Sequence, residues 1–139
     1  MRVAFTSSDG TAVDRHFGAA EAFAIWEVDA DRAELVELVS LASFGEDAED
    51  RIALRVEVLR GCTLVFTQQI GGPGAARLVA RHIHPLKSPG TEAVTTLVAR
   101  LQGVLAGNPP PWLARALGRR PSSRQGVVTP GDEDAVQNP

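Results

Sequence analysis

The sequence predicts an α/β protein built on a single mixed five-stranded sheet. An opening set of short, apolar, β-branched stretches gives way to apolar runs that alternate with amphipathic ones, the order that produces βαβ crossovers. The most regular segment, with Val94, Leu97, Val98, Leu101, Val104 and Leu105 at three- and four-residue steps, is a helix that needs a sheet to pack on. A chain of 139 residues, 44% hydrophobic and 22% charged, has enough apolar material for one core. A core of that size buries roughly two-thirds of the surface exposed by the unfolded chain.

Taken in order, residues 2–6 read as a buried strand, and Ser7, Ser8, Asp9 and Gly10 supply turn chemistry. Residues 22–28, with Phe23, Ile25 and Trp26, form a second strand, and residues 34–41 a third, although Leu35, Leu38 and Leu41 do not share one parity. The Asp29, Ala30, Asp31 break between them suggests a hairpin. Residues 49–59 fit either period, and their length, the acidic start at Glu46, Asp47, Glu49 and Asp50, and the stop at Gly61 decide for helix. Residues 62–67 suit a central strand, and Pro73 takes a first helical position ahead of Ala75, Ala76, Leu78 and Val79. A short strand at 83–86 and the helix at 92–106, ended by Gly107, complete the order βββαβαβα with three flanking helices. A sheet of ribonuclease H-like type fits that order. Asn108 and Pro109 to Pro111 begin a linker, residues 112–117 are expected to dock as one turn, and residues 118–139, rich in Pro, Gly, Ser and charge, read as a disordered tail.

Fourteen Lys and Arg against seventeen Asp and Glu leave a net charge of -3, which gives no footprint for nucleic acid or an anionic membrane. The lone Cys62 excludes an internal disulfide framework and any four-cysteine zinc or iron-sulfur site. No apolar run approaches 18 residues, and residues 1–6 are too short for a signal peptide, so a cytoplasmic protein is expected.

Four constellations bear on chemistry. Asp14, Arg15, His16, Phe17 and Gly18 put an imidazole in a loop that can turn sharply, as a ligand or as an ordinary loop histidine. Gly71, Gly72, Pro73 and Gly74, between a strand and a helix, either aim N-H groups at an anion or make a tight turn. They match neither a Walker A loop nor the three-glycine dinucleotide fingerprint. His82 and His84, two residues apart on a strand, would share a face and permit a metal pair, while His84 before Pro85 also suits a structural role. Cys62 reads as a small buried hydrophobe rather than a nucleophile. Two-metal hydrolysis needs converging carboxylates; Asp9 and Asp14 have no partner between residues 62 and 86, where Asp and Glu are absent, so hydrolysis is not expected.

Five segments in order carry a resemblance: residues 3–10, the Asp14 to Gly18 loop with Phe23, Ile70 to Pro73, Ile83 to Lys87, and Asn108 to Leu113. Together they resemble the dinitrogenase iron-molybdenum cofactor biosynthesis family, close to its NifX type, over residues 1–117. Gly74 stands where alanine is more usual in that family, and His82 where glycine is. The resemblance implies a ribonuclease H-like fold without nuclease activity. It also implies a cofactor-carrier domain over 1–117 that binds and passes on an iron-sulfur precursor of the nitrogenase iron-molybdenum cofactor among nitrogenase cofactor-assembly proteins. His16 is the implied metal contact, and Phe17, Gly18, Gly71, Gly72 and Gly74 the implied cofactor-binding surround. A carrier should not cage its cargo in four thiolates, and this chain has one. The alternative is a chaperone-type protein that binds cofactor-free dinitrogenase, with only weak cluster contact.

Overall fold

The apolar run after Met1 becomes the central strand in the computed structural model, which describes residues 1–41, 48–88 and 90–119. This strand, β1 (Arg2–Ser7), is buried from Val3 to Ser7, as a strand covered on both faces must be. Antiparallel to it runs β3 (Ala22–Val28), which pairs in turn with β4 (Ala33–Ser40) through the hairpin read from the Asp29 to Asp31 break. On its other side β5 (Leu64–Thr67) and then β6 (His84–Lys87) add in parallel, giving the order β4-β3-β1-β5-β6. Helix α1 (Ala48–Val58) precedes β5, α2 (Gly72–Ala80) crosses from β5 to β6, and α3 (Val94–Ala106) and α4 (Pro111–Arg119) follow.

Alternation along β1 sorts two cores. Val3 and Phe5, with Leu64, face Leu97 and Leu101 of α3 and Leu113 of α4. Ala4, with Phe23, Ile25 and Val65, faces Val56 of α1 and Leu78 of α2. The parity conflict in β4 is resolved by a bulge: Ala24 pairs with Leu38 and Trp26 with Leu35, so one extra residue on β4 returns both leucines to one face.

Several expectations need correction. The described residues hold four α-helices rather than three, because residues 111–119 form the nine-residue α4 rather than one turn. The order βββαβαβα also omits the two-residue strands β2 (Ala12–Val13) and β7 (Glu92–Ala93), which pair only with each other. Two residues carry no readable period, and β7 takes what the pattern gave to the start of α3. Pro73 occupies the second helical position, since α2 starts at Gly72. His82 and His84 do not share a strand: β6 begins at His84, and His82 sits at φ 62 just past the end of α2. There the His82 N-H donates to the Val79 carbonyl and the Ile83 N-H to the Leu78 carbonyl, each at 2.9 Å, a Schellman cap closed by the buried Leu78 and Ile83. The cap requires the left-handed backbone that glycine adopts most easily. Glu46 and Asp47, of the acidic stretch expected to lead into α1, and the tail from residue 120 onward lie outside the described residues.

Candidate functional site

Because β1 and β5 are parallel neighbours, the loops after them emerge side by side at one end of the sheet. The chain leaves β1 toward β3 on one side and β5 toward α2 and β6 on the other. In open α/β sheets, ligands are placed beyond the carboxyl ends of the strands, where such connections part. The His16 loop and the glycine-rich turn, far apart in sequence, meet there. Gln68 donates its N-H to the Arg15 carbonyl at 3.2 Å, and Phe17 donates its N-H to the Gln69 carbonyl at 2.9 Å, so the backbone is held on both sides of His16. The buried Thr6 hydroxyl donates to the Arg15 carbonyl at 2.9 Å. The buried Thr67 hydroxyl lies 3.1 Å from the Gln69 carbonyl and 3.3 Å from that of Arg15.

On this platform neighbouring residues divide the work. His16 is exposed and extended, at the start of a 3-10 turn over Phe17–Ala19, and its side chain makes no capping bond. Phe17 is 1% exposed, with its ring 5.9 Å from that of Phe23, so it anchors the loop in the core. A methyl group on Gly18 would lie 3.5 Å from Ile52 of α1, and one on Gly74 would lie 3.6 Å from the Phe17 ring and 3.3 Å from Ile70. Gly74 is thus packing material that joins the two motifs. Gly71 and Gly72 are exposed. Gly71 caps α2 without a side chain and Pro73 has no N-H, so among the described residues no side-chain acceptor closes the positive end of the helix.

The loop carboxylates are structural. Asp14 accepts from the Ser8 N-H at 2.9 Å and the Ser8 hydroxyl at 2.7 Å. Asp9 accepts from the N-H and hydroxyl of Thr11, and those donors hold its carboxyl below its ordinary value. Cys62 and His84 sit just before β5 and at the first residue of β6, at the amino end of the parallel strands and away from His16. Burial pushes the Cys62 thiol up to about 12, which leaves it protonated and a poor ligand. The His84 ring lies 5.0 Å from that of Trp112. Among the described residues no three His, Cys, Asp or Glu side chains are grouped to hold a metal ion.

Sequence reasoning missed three residues here. Thr6 and Thr67 close apolar runs, as the last residue but one of β1 and the last of β5, and a threonine at the carboxyl end of such a run was the available signal. Arg55 is 4% exposed beneath the loop, donating to the Ala20 carbonyl at 2.6 Å and the Arg51 carbonyl at 3.2 Å, and among the described residues no carboxylate pairs with it. Burial, aided by the charge of Arg51, lowers its pKa. Its signal was an arginine set into the inward stripe of Ile52, Val56 and Leu59.

A family model described as dinitrogenase iron-molybdenum cofactor matches residues 1–103. The chain is 40% identical over 124 residues to the protein NifX of Rhodobacter capsulatus, covering 85% of this chain and 78% of that one. It is 38% identical to the protein NifY of Azotobacter vinelandii, covering 89% of this chain and 51% of that one. The solved structure of PH0822 superposes with a TM-score of 0.61 at 21% identity, over 74% of this chain and 89% of that one, a likeness of fold alone.

Proposed function

The chain belongs to the dinitrogenase iron-molybdenum cofactor family, and from that membership we propose that it is a non-catalytic carrier in the biosynthesis of that cofactor. Its cargo is an iron-sulfur precursor of the cofactor, held transiently and passed among nitrogenase cofactor-assembly proteins in the cytoplasm. One observation carries this reading: an exposed imidazole projects from a backbone pinned on both sides, beside a helix start that no side chain among the described residues caps. A cargo to be released needs few protein ligands, and His16 supplies one exchangeable nitrogen. Gly71 and Gly72 leave the helix end open to an anionic cluster, and the buried Arg55 adds positive charge beneath the loop. Gly18, Gly74 and the Phe17 ring serve by keeping that surface in place. The order β4-β3-β1-β5-β6, with β3 antiparallel to β1, supports a ribonuclease H-like ancestry for the sheet. Among the described residues no helix is long and apolar enough to cross a membrane.

The test is anaerobic loading from a cluster donor, followed by iron and sulfide analysis of the wild type and His16→Ala. Stoichiometric iron in the wild type and loss of it in a folded variant is the expected result; equal loading overturns the ligand role. The second reading, a chaperone for cofactor-free dinitrogenase, draws on β4, an edge strand whose Leu35 and Leu38 are 53% and 52% exposed. That reading predicts a stable complex with cofactor-free dinitrogenase that survives His16→Ala and is lost in Leu38→Glu.

A further inference from the structure

We propose that Thr6 and Thr67 are positioning residues whose buried hydroxyls set the backbone from which His16 is presented; the inference rests on the carrier reading and extends it to the residues behind the ligand.

The two threonines are the fifth residue of β1 and the last of β5, neighbouring parallel strands, and neither has solvent exposure. A buried hydroxyl must find a partner, and an ordinary strand threonine can find it within its own sheet. These two turn instead to the carbonyls of Arg15 and Gln69, in the two loops that meet around His16. Those carbonyls also accept the N-H groups of Gln68 and Phe17, so each of the two loop-to-loop bonds around His16 is reinforced by a hydroxyl from the sheet floor. Phe66 offers Thr6 a second carbonyl at 3.3 Å, longer than the 2.9 Å bond to Arg15. The bond from Thr6 spans nine residues and the contact from Thr67 to Arg15 spans fifty-two, so the clamp forms only once β1 and β5 are paired. Fixing the backbone on either side of an exposed side chain reduces the orientations lost when that side chain takes a ligand, and residues behind a metal ligand commonly alter affinity 10- to 100-fold when removed.

The experiment uses the full chain and the isosteric substitutions Thr6→Val and Thr67→Val, with Thr63→Val as the control for loss of a buried hydroxyl outside the loop. Amide hydrogen exchange at Phe17 is read in the unloaded protein. Affinity is read with an iron-sulfur cluster assembled anaerobically from ferrous iron and sulfide, together with its absorption spectrum. The expected result is Phe17 exchange at least about tenfold faster and a cluster bound about tenfold more weakly in each loop variant, with Thr63→Val unchanged and Thr6→Ser and Thr67→Ser restored to wild type. Unchanged exchange and affinity in folded valine variants overturn the inference. So does weakening in the serine variants, which keep the hydroxyl; that arm decides the matter if the valine variants do not fold. His16→Ala in the same titration separates the two claims. If it binds as well as wild type while the valine variants still free Phe17, the positioning stands and the ligand role falls; if it binds weakly while they change nothing, the reverse holds.

Discussion

The two ends of the parallel strands carry the same kinds of side chain to opposite effect. At the amino end stand Cys62 and His84, a thiol and an imidazole that look like soft ligands on paper. The thiol is buried and held protonated, the His84 ring packs near Trp112, and the surrounding backbone is closed by Thr63 N-H to the Arg2 carbonyl at 2.8 Å and His84 N-H to the Thr63 carbonyl at 2.9 Å. At the carboxyl end the strands stop, the two loops are bonded to each other, and an imidazole of the same chemistry stands in solvent on the backbone they fix. The difference lies in topology: the carboxyl ends of the parallel strands carry the loops that present a side chain to solvent, while at the amino end the backbone closes on the core. Residue type nominates a ligand, and position in the sheet decides whether it can act as one.

The sharpest way to break the comparison is at Phe17, the neighbour of His16 that belongs to the core. Phe17→Ala removes a ring with 1% exposure that touches Phe23 and lies over Gly74, and should lower stability by about 3 to 5 kcal/mol. Chemical denaturation measures it. A loss under about 1 kcal/mol would mean that the loop is not moored in the core and that the two ends differ less than argued.

Cys62 tests the other end. Cys62→Ser leaves a hydroxyl in apolar surroundings and should lose about 1 to 3 kcal/mol with cluster binding intact. Alkaline pH gives a second readout. The folded-state pKa, about 12, lies above the ordinary value of 9.0, so the stability supplied by the neutral thiol is complete below pH 9 and lost as pH rises toward 12. The slope is at most about 1.4 kcal/mol per pH unit. Wild type and Cys62→Ala should therefore diverge only above pH 9. A difference that opens below that value, or iron loading that depends on Cys62, would move a ligand to the wrong end of the sheet.

His82→Gly is smaller and has the opposite sign. The residue holds φ at 62 in a cap that suits glycine, and relieving that should stabilise the protein by about 1 kcal/mol. Thermal melting checks it, and a destabilised variant would show that the imidazole has a role in its exposed position.

His82 also marks where the sequence could be read and where it could not. As letters, His82 and His84 make a metal-like pair, and only the end of α2 between Ala80 and Ile83 shows that they never share a strand. The central strands were legible because Val3 to Phe5 and residues 64–66 sit in the interior of the sheet and read as unbroken apolar runs. Leu35 and Leu38 defeated parity because a bulge is a property of pairing, which one strand does not reveal. Helix α4 was lost among three prolines, although Pro111 as a first helical residue was itself a start signal. At the site, the His16 loop and the glycine turn were visible one at a time. Their meeting, and the roles of Thr6, Thr67 and Arg55 under them, depend on contacts up to 60 residues apart that no local pattern encodes.

The smallest expected effect on stability is the most telling one. His16→Ala removes an exposed side chain that makes no capping bond, from a backbone that Gln68, Gln69 and Thr6 hold through main-chain atoms of its neighbours. Nothing in that arrangement depends on the imidazole, so the melting curve should move by no more than about 0.5 kcal/mol. Cluster affinity, by contrast, should fall at least about tenfold if His16 supplies the ligand, the scale on which loss of even a supporting residue behind a metal ligand is felt. Phe17→Ala and His16→Ala thus form a pair one residue apart, the first draining stability and the second draining binding. A thermal melt beside an anaerobic titration with the reconstituted cluster reads both. Should His16→Ala destabilise the domain as Phe17→Ala does, the imidazole is part of the scaffold, and the carboxyl end is packed as closely as the amino end; should it change neither quantity, the cargo meets the protein through the open start of α2 without a histidine ligand.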